Sequence, residues 1–144
     1  AYSAAEGVVN GGVTPVAGAE ALCSSCGIVS LHSPATPETK GSINNALLSR
    51  MPQGAVLVNT ARKEVINEDE LIQFMQIRKD FKYMTDIMPA ADQKMQELFE
   101  GRYFATPKKM GAQTAEANIN AGIAAAKQIV DFFENGVTKF QVNK

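Results

Sequence analysis

Residues 57–67, LVNTARKEVIN, run from an apolar stretch into a polar turn and place Arg62 where the stretch stops. A planar guanidinium in that position can fork two donors onto a carboxylate or phosphate, and it stays charged at any working pH. Other residues able to do chemistry stand at comparable places. The only histidine, His32, follows GIVSL; Asp86 follows KYMT; Lys108 and Lys109 follow Thr106-Pro107. The one cysteine pair, Cys23-Ser24-Ser25-Cys26, has a spacing that invites redox or metal chemistry. A redox pair belongs at a helix start, where the dipole stabilises thiolate, but residues 19–22 read as helix and leave the pair near its end. Zinc needs two further ligands, for which the sequence offers no obvious set. The thiols are therefore expected to pack where a helix passes into a strand, and no metal site is expected.

Composition narrows the partners. The 144 residues are 45% hydrophobic and 20% charged, enough to bury one core. With 14 basic and 15 acidic side chains and a formal net charge of -1, there is no basic excess to neutralise a phosphate backbone or an anionic bilayer. Neither nucleic acid nor membrane is an expected partner. The apolar stretches are too short to span a bilayer, and residues 1–20 lack the basic start and apolar centre of a secretory signal. A cytoplasmic protein is expected.

The elements that must position these residues alternate between strand and helix. GIVSLH (27–32) reads as a strand, and Pro34, Pro37 and Gly41 keep the next stretch irregular. INNALLSRM (43–51) puts Ile43, Leu47, Leu48 and Met51 on one helical face before Pro52 and Gly54 stop it. AVLVN (55–59) is a buried strand. NEDELIQFMQIRK (67–79) is a helix with Asn67 as N-cap and Glu70 as its capping-box partner. KYMTDIM (82–88), QKMQELFE (93–100) and RYFATP (102–107) predict strand, helix, strand, and a long helix runs from Thr114 to Glu134, closed by Asn135-Gly136.

Strands and helices alternating through short loops predict an α/β fold, a doubly wound, Rossmann-like parallel sheet covered on both faces. Right-handed crossovers put every strand's carboxyl end on one edge, where ligands bind. His32 to Pro34, Thr60 to Arg62, Asp86 to Met88 and Lys108-Lys109 then converge on that edge.

Four blocks at those strand ends carry a family resemblance: VSLHSPATPETKGSIN (29–44), MPQGAVLVNTARKEVINEDEL (51–71), TDIMP (85–89) and ATPKKMGAQTAEA (105–117). Together they resemble the D-isomer-specific 2-hydroxyacid dehydrogenases over about residues 13–143, most closely the branch that oxidises D-3-phosphoglycerate. The resemblance implies an NAD-dependent oxidoreductase that moves a hydride from C2 of a D-2-hydroxy acid to the nicotinamide. It implies that Arg62 anchors the substrate's carboxylate and C2 oxygen beside the cofactor. Thr60 and Ala61 would lie under the nicotinamide and its ribose, Asp86 would accept a hydrogen bond from the carboxamide, and Gly111 would lie on the cofactor side. His32 and Pro34 would line the cofactor groove; for His32 the alternative is a ring that caps a strand end through one hydrogen bond. The substrate is expected to be a small phosphorylated hydroxy acid, and the assembly a homodimer.

The chain departs from the family pattern in two places. The usual histidine after Thr-Pro is replaced by Lys108, or by Lys109 if the register is counted back from Gly111 and Glu116, and the glutamate expected five residues after Asp86 is Ala91. A short form of the family has lysine at the histidine position, and this chain is similar to it. The paired loss is chemically coherent, because an ammonium has no tautomer for a carboxylate to fix. A lysine with a pKa of about 10.4 is a poor base at neutral pH, but adjacent cations disfavour its charged form. One of Lys108 and Lys109 is therefore expected to take the C2 hydroxyl proton.

No G-x-G-x-x-G turn occurs anywhere in the sequence. The chain is therefore expected to be the carboxyl-terminal part of a longer enzyme and inactive alone. Residues 1–113 would form part of the NAD-binding domain, and 114–144 a helix and tail returning to a substrate domain. An unpaired sheet edge or the long helix would favour self-association. Two other readings stand beside this one: a non-catalytic, dinucleotide-binding sensor or corepressor, and a glycerate dehydrogenase or hydroxypyruvate reductase.

Overall fold

The computed structural model describes residues 14–107 and 114–142. The chain divides into two compact units, Ala1–Lys109 and Met110–Lys144.

The first unit is built on four parallel strands, β1 (Ile28–Leu31), β2 (Val56–Asn59), β3 (Lys82–Thr85) and β4 (Tyr103–Ala105), in the order β1-β2-β3-β4. Helix α1 (Ala19–Ser25) precedes β1, and α2 (Asn45–Leu48), α3 (Glu68–Ile77) and α4 (Asp92–Leu98) fill the crossovers. The parallel α/β sheet expected from the strand and helix alternation is present. Among the described residues of this unit the cover lies on one face. Val29, Leu57 and Tyr83 point into a single core with Cys23, Leu48, Leu71, Phe74, Met75, Met95 and Phe99. The alternate strand positions face outward, with Ile28, Met84 and Phe104 exposed at 69%, 42% and 60%. The reason is topological: every crossover steps to the next strand in the same direction, and right-handed crossovers of that kind lay their helices on one face.

Helix α3 shows how local signals build this layer. Asn67 caps it, its Oδ1 accepting from the Glu70 N–H at 3.3 Å, and Glu68, Asp69 and Glu70 complement the dipole of the first turn. Leu71, Ile72, Phe74 and Met75 are buried, each contributing about 1.5–3 kcal/mol. Its last carbonyls are met from the far side of the core, where Arg102 Nη1 donates to Met75 O at 3.1 Å and Arg78 O at 3.2 Å. The Glu70 carboxylate departs from a simple capping box. It accepts from the Asn67 side-chain amide and the Asn45 N–H, both at 2.7 Å, because the Asn67 N–H already donates to Ile43 O.

That bond also shortens α2. The pattern predicts a helix over 43–51, yet Ile43 pairs in parallel with Ile66, its N–H donating to Val65 O and its carbonyl accepting from Asn67. With Ile43 committed laterally, Asn44 becomes the N-cap, accepting from the Leu47 N–H at 3.0 Å. Ile43, Leu48 and Met51 are buried as their spacing predicts. Cys23 is buried and Cys26 caps α1 just before β1, both as free thiols, which matches packing at a helix-to-strand passage. Burial, then the neighbouring Cys26, pushes the Cys23 thiol up from its ordinary pKa.

The second unit is α5 (Ala115–Asn135) and the tail after it. Thr114 Oγ1 accepts from the Ala117 N–H at 3.1 Å at its start. Gly136 ends it in the left-handed conformation, φ 63°, with its N–H on Phe132 O. Phe132, Val137 and Phe140 line an open apolar groove of about 460 Å³ within this unit.

Candidate active site

The strand register fixes the site. Leu31 pairs with Asn59, Asn59 with Thr85, and Thr85 with Ala105, so the last residues of all four strands lie in one row. The residues that follow them, His32, Thr60, Asp86 and Thr106, therefore emerge along one edge, about 4.8 Å apart from strand to strand.

After β2 the chain bends sharply, and Asn59 holds the bend. Its side chain is fully buried. Asn59 Oδ1 accepts from the Ala61 N–H and its Nδ2 donates to Arg62 O, both at 3.0 Å. A single 3-10 turn, Lys63–Val65, follows, and it is held from the side because Gly41 N–H donates to Glu64 O at 2.8 Å. The Arg62 side chain emerges from this held turn into solvent. Its Nη1 donates to Ala61 O at 2.8 Å, and it makes no ion pair with any described residue. An exposed guanidinium on a rigid base, with most of its donors unspent on protein carboxylates, suits an anionic ligand.

After β3, Thr85 and the β2 end fix Asp86. The Thr85 hydroxyl donates to Asn59 O at 3.0 Å and accepts from the Ile87 N–H at 3.0 Å, and the Asp86 N–H donates to Asn59 O at 3.2 Å. Asp86 Oδ1 is buried with no hydrogen-bond partner among the described residues. A buried carboxylate oxygen left in that state costs about 1–3 kcal/mol or more, so the site is built to receive a donor. The loop beyond is tied back by Glu68, whose two carboxylate oxygens accept from the Ala90 and Ala91 N–H groups at 3.1 and 3.2 Å.

After β1, both nitrogens of His32 meet hydroxyls: Nε2 lies 2.9 Å from Ser30 Oγ and Nδ1 lies 3.3 Å from Thr60 Oγ1. The ring thus bridges β1 and β2 at the edge, with one more hydroxyl contact than a simple strand cap requires. Pro34 lies in the exposed loop that follows, its carbonyl accepting from Thr39 Oγ1 at 2.6 Å. His32, Thr60, Ala61, Arg62 and Asp86 are thus brought to one edge through shared hydrogen bonds. Lys108, Lys109 and Gly111 lie outside the described residues. Ala91, standing where a glutamate is usual, is part-buried at the N-cap of α4. Two residues that sequence reasoning passed over, Asn59 and Thr85, do the positioning. The only trace of them is that each is a polar residue closing a strand run, AVLVN and KYMT.

Among the described residues no group of His, Cys, Asp and Glu side chains could hold a metal, and no helix is long and apolar enough to cross a membrane. Comparison with known proteins places the chain in a family. Residues 3–107 match the family model of the D-isomer specific 2-hydroxyacid dehydrogenase, NAD binding domain. The chain belongs to that family.

Relatives within and around the family agree. The solved, NAD+-bound 3-phosphoglycerate dehydrogenase of Entamoeba histolytica is 52% identical with a TM-score of 0.77, over 90% of this chain and 43% of that one. The D-3-phosphoglycerate dehydrogenase of Haemophilus influenzae is 35% identical over 92% of this chain and 34% of its own length. A hydroxypyruvate reductase of Thermotoga maritima is 34% identical over 76% of this chain and 36% of its own. The chain thus spans about a third of the length of these two curated relatives. NAD is the cofactor of this domain family, and the residues present fit it. The unpartnered Asp86 oxygen can accept from a carboxamide N–H, and Thr60 and Ala61 flank the same edge.

Proposed function

We propose that this chain serves the NAD-dependent oxidation of a D-2-hydroxy acid, with D-3-phosphoglycerate as substrate and 3-phosphohydroxypyruvate as product, the reaction that opens serine biosynthesis. The observation that carries the reading is the buried Asp86 oxygen without a donor among the described residues, one hydrogen-bonded residue away from the turn that presents Arg62. Arg62 holds the substrate carboxylate and C2 oxygen, while Asp86, Thr60 and Ala61, with His32 and Pro34 at the groove and Gly111 beyond, hold the nicotinamide end of the cofactor. When bound, NAD supplies the acceptor for the hydride from C2. Lys108 or Lys109 takes the C2 hydroxyl proton, and the substrate phosphate is read by basic groups outside this chain. The relatives named as 3-phosphoglycerate dehydrogenases support this substrate over the hydroxypyruvate reductase alternative. The working enzyme is a cytoplasmic homodimer in which residues 1–113 belong to the cofactor domain and 114–144 return to the substrate domain.

The test is NADH formation from D-3-phosphoglycerate by the full-length protein that carries this chain. Arg62→Ala is expected to lower kcat/KM by roughly 10²-fold or more while NAD still binds. The oxidation rate should rise with pH above neutrality as the lysine loses its proton; a flat or acid-favouring profile would remove lysine from the role of base.

A second reading, a non-catalytic dinucleotide sensor, draws on Ala91 and on lysine in place of histidine. Lys108→Ala and Lys109→Ala decide between the two. Loss of turnover with NAD binding intact in one of them supports the enzyme, whereas a wild-type protein that binds NAD and turns over no 2-hydroxy acid supports the sensor.

A further inference from the structure

We propose that Asn59 is a positioning residue, setting the distance between the Arg62 guanidinium and the Asp86 carboxylate and hence between substrate and nicotinamide. The inference rests on the function proposed above and adds a residue that touches neither ligand. Asn59 serves both arms of the site at once. Its side chain pins the bend that presents Arg62, through the Ala61 N–H and the Arg62 carbonyl. Its own carbonyl receives Thr85 Oγ1 at 3.0 Å and the Asp86 N–H at 3.2 Å. Thr85 is likewise buried, and its hydroxyl reaches Ile87 O at 2.9 Å and the Ile87 N–H at 3.0 Å, fixing the backbone on both sides of Asp86.

The chemistry of the position admits few substitutes. The side chain must accept from one backbone group and donate to another two and three residues on, inside a fully buried shell. Aspartate keeps the acceptor, loses the donor and adds a charge. Leucine fills the volume and orphans both backbone groups. Because transfer between two bound groups falls off steeply with misplacement, roughly 10²-fold for about 1 Å, a loosened Asn59 should be felt in catalysis.

The experiment compares Asn59→Asp, Thr85→Val and Thr85→Ser in the full-length protein, alone and with Arg62→Lys, reading kcat, KM for D-3-phosphoglycerate, calorimetric NAD affinity and Tm. Asn59→Asp and Thr85→Val are each expected to lower kcat/KM roughly tenfold or more, with Thr85→Ser within about threefold of wild type. In the Arg62→Lys background Asn59→Asp should cost less than it does alone, because one of the two arms it positions is already displaced. Lowered Tm with unchanged kcat and KM, or losses that multiply fully in the double variant, would show Asn59 to be structural only and overturn the proposal. Should Asn59→Asp fail to fold, the Thr85 pair decides alone: wild-type kinetics in Thr85→Val overturn it. An Arg62→Lys variant with wild-type kinetics sinks the reading of the site itself and this inference with it, an outcome distinct from a damaged Arg62→Lys beside an unaffected Asn59→Asp.

Discussion

Asp86 is a carboxylate whose stability and function pull in opposite directions. Its Oδ1 is buried without a donor among the described residues. Replacing it by alanine should leave the apo protein as stable or stabilise it by about 1 kcal/mol, while weakening NAD binding roughly tenfold. Thermal unfolding with and without NAD measures both effects, and a fall in apo stability on Asp86→Ala would mean the oxygen has a partner in the protein. Arg62 presents the converse case, an exposed cation held through its carbonyl by Asn59 and through one guanidinium N–H by Ala61 O, with no carboxylate partner among the described residues. Its removal should cost little stability, since exposed charges without buried partners contribute little to folding.

At the scale of elements, the helix starts carry much of the specification. Asn67 caps α3 and also hands its side-chain amide to Glu70, which in turn holds Asn45 at the first turn of α2. Asn67→Ala is therefore expected to cost about 1–2 kcal/mol in urea unfolding, and a loss under about 0.3 kcal/mol would show that the two helix starts are not coupled. The four strands, α3, α4 and α5 were legible in the sequence, because apolar spacing, caps and Gly136 all signal locally. The shortness of α2 was not, since the pairing of Ile43 with Ile66 joins residues 23 positions apart and no periodicity reports it. The face on which the described helices of the first unit lie was also hidden: a run such as AVLVN looks the same whichever face is covered. The edge bearing Arg62, Asp86, His32 and Thr60 could be named from strand ends alone. The hydrogen-bond hub that spaces them could not, because a buried Asn and a surface Asn are the same letter.

Across the whole molecule, the opposite end of the sheet is tied by a second polar clamp. Arg78 pairs with Asp80 at 2.7 Å and donates to Pro52 O at 2.9 Å, while Asp80 accepts from the Gly54 N–H at 2.6 Å, which joins the chain entering β2 to the chain entering β3. The hydrogen bond from Arg78, then that from Gly54, holds the Asp80 carboxyl well below its usual 3.8. A depressed carboxylate contributes stability above its unfolded pKa and loses it as pH falls through the folded value. Wild type should therefore melt above Asp80→Asn at neutral pH, with the gap constant down to about pH 5 and closing below about pH 4. A gap of unchanged size between pH 5 and pH 2 would assign the difference to something other than ionisation of Asp80.

The row formed by Leu31, Asn59, Thr85 and Ala105 also limits how the gene can change length. One codon added within residues 55–59 turns Asn59 outward and brings its neighbour into the core, because strand side chains alternate. The loop at 33–41 feeds no pairing until Gly41, so extra codons there shift nothing in the row. A scan of single-codon insertions and deletions should find the first stretch closed to both and the second open, a boundary written in reading-frame arithmetic rather than in any one side chain.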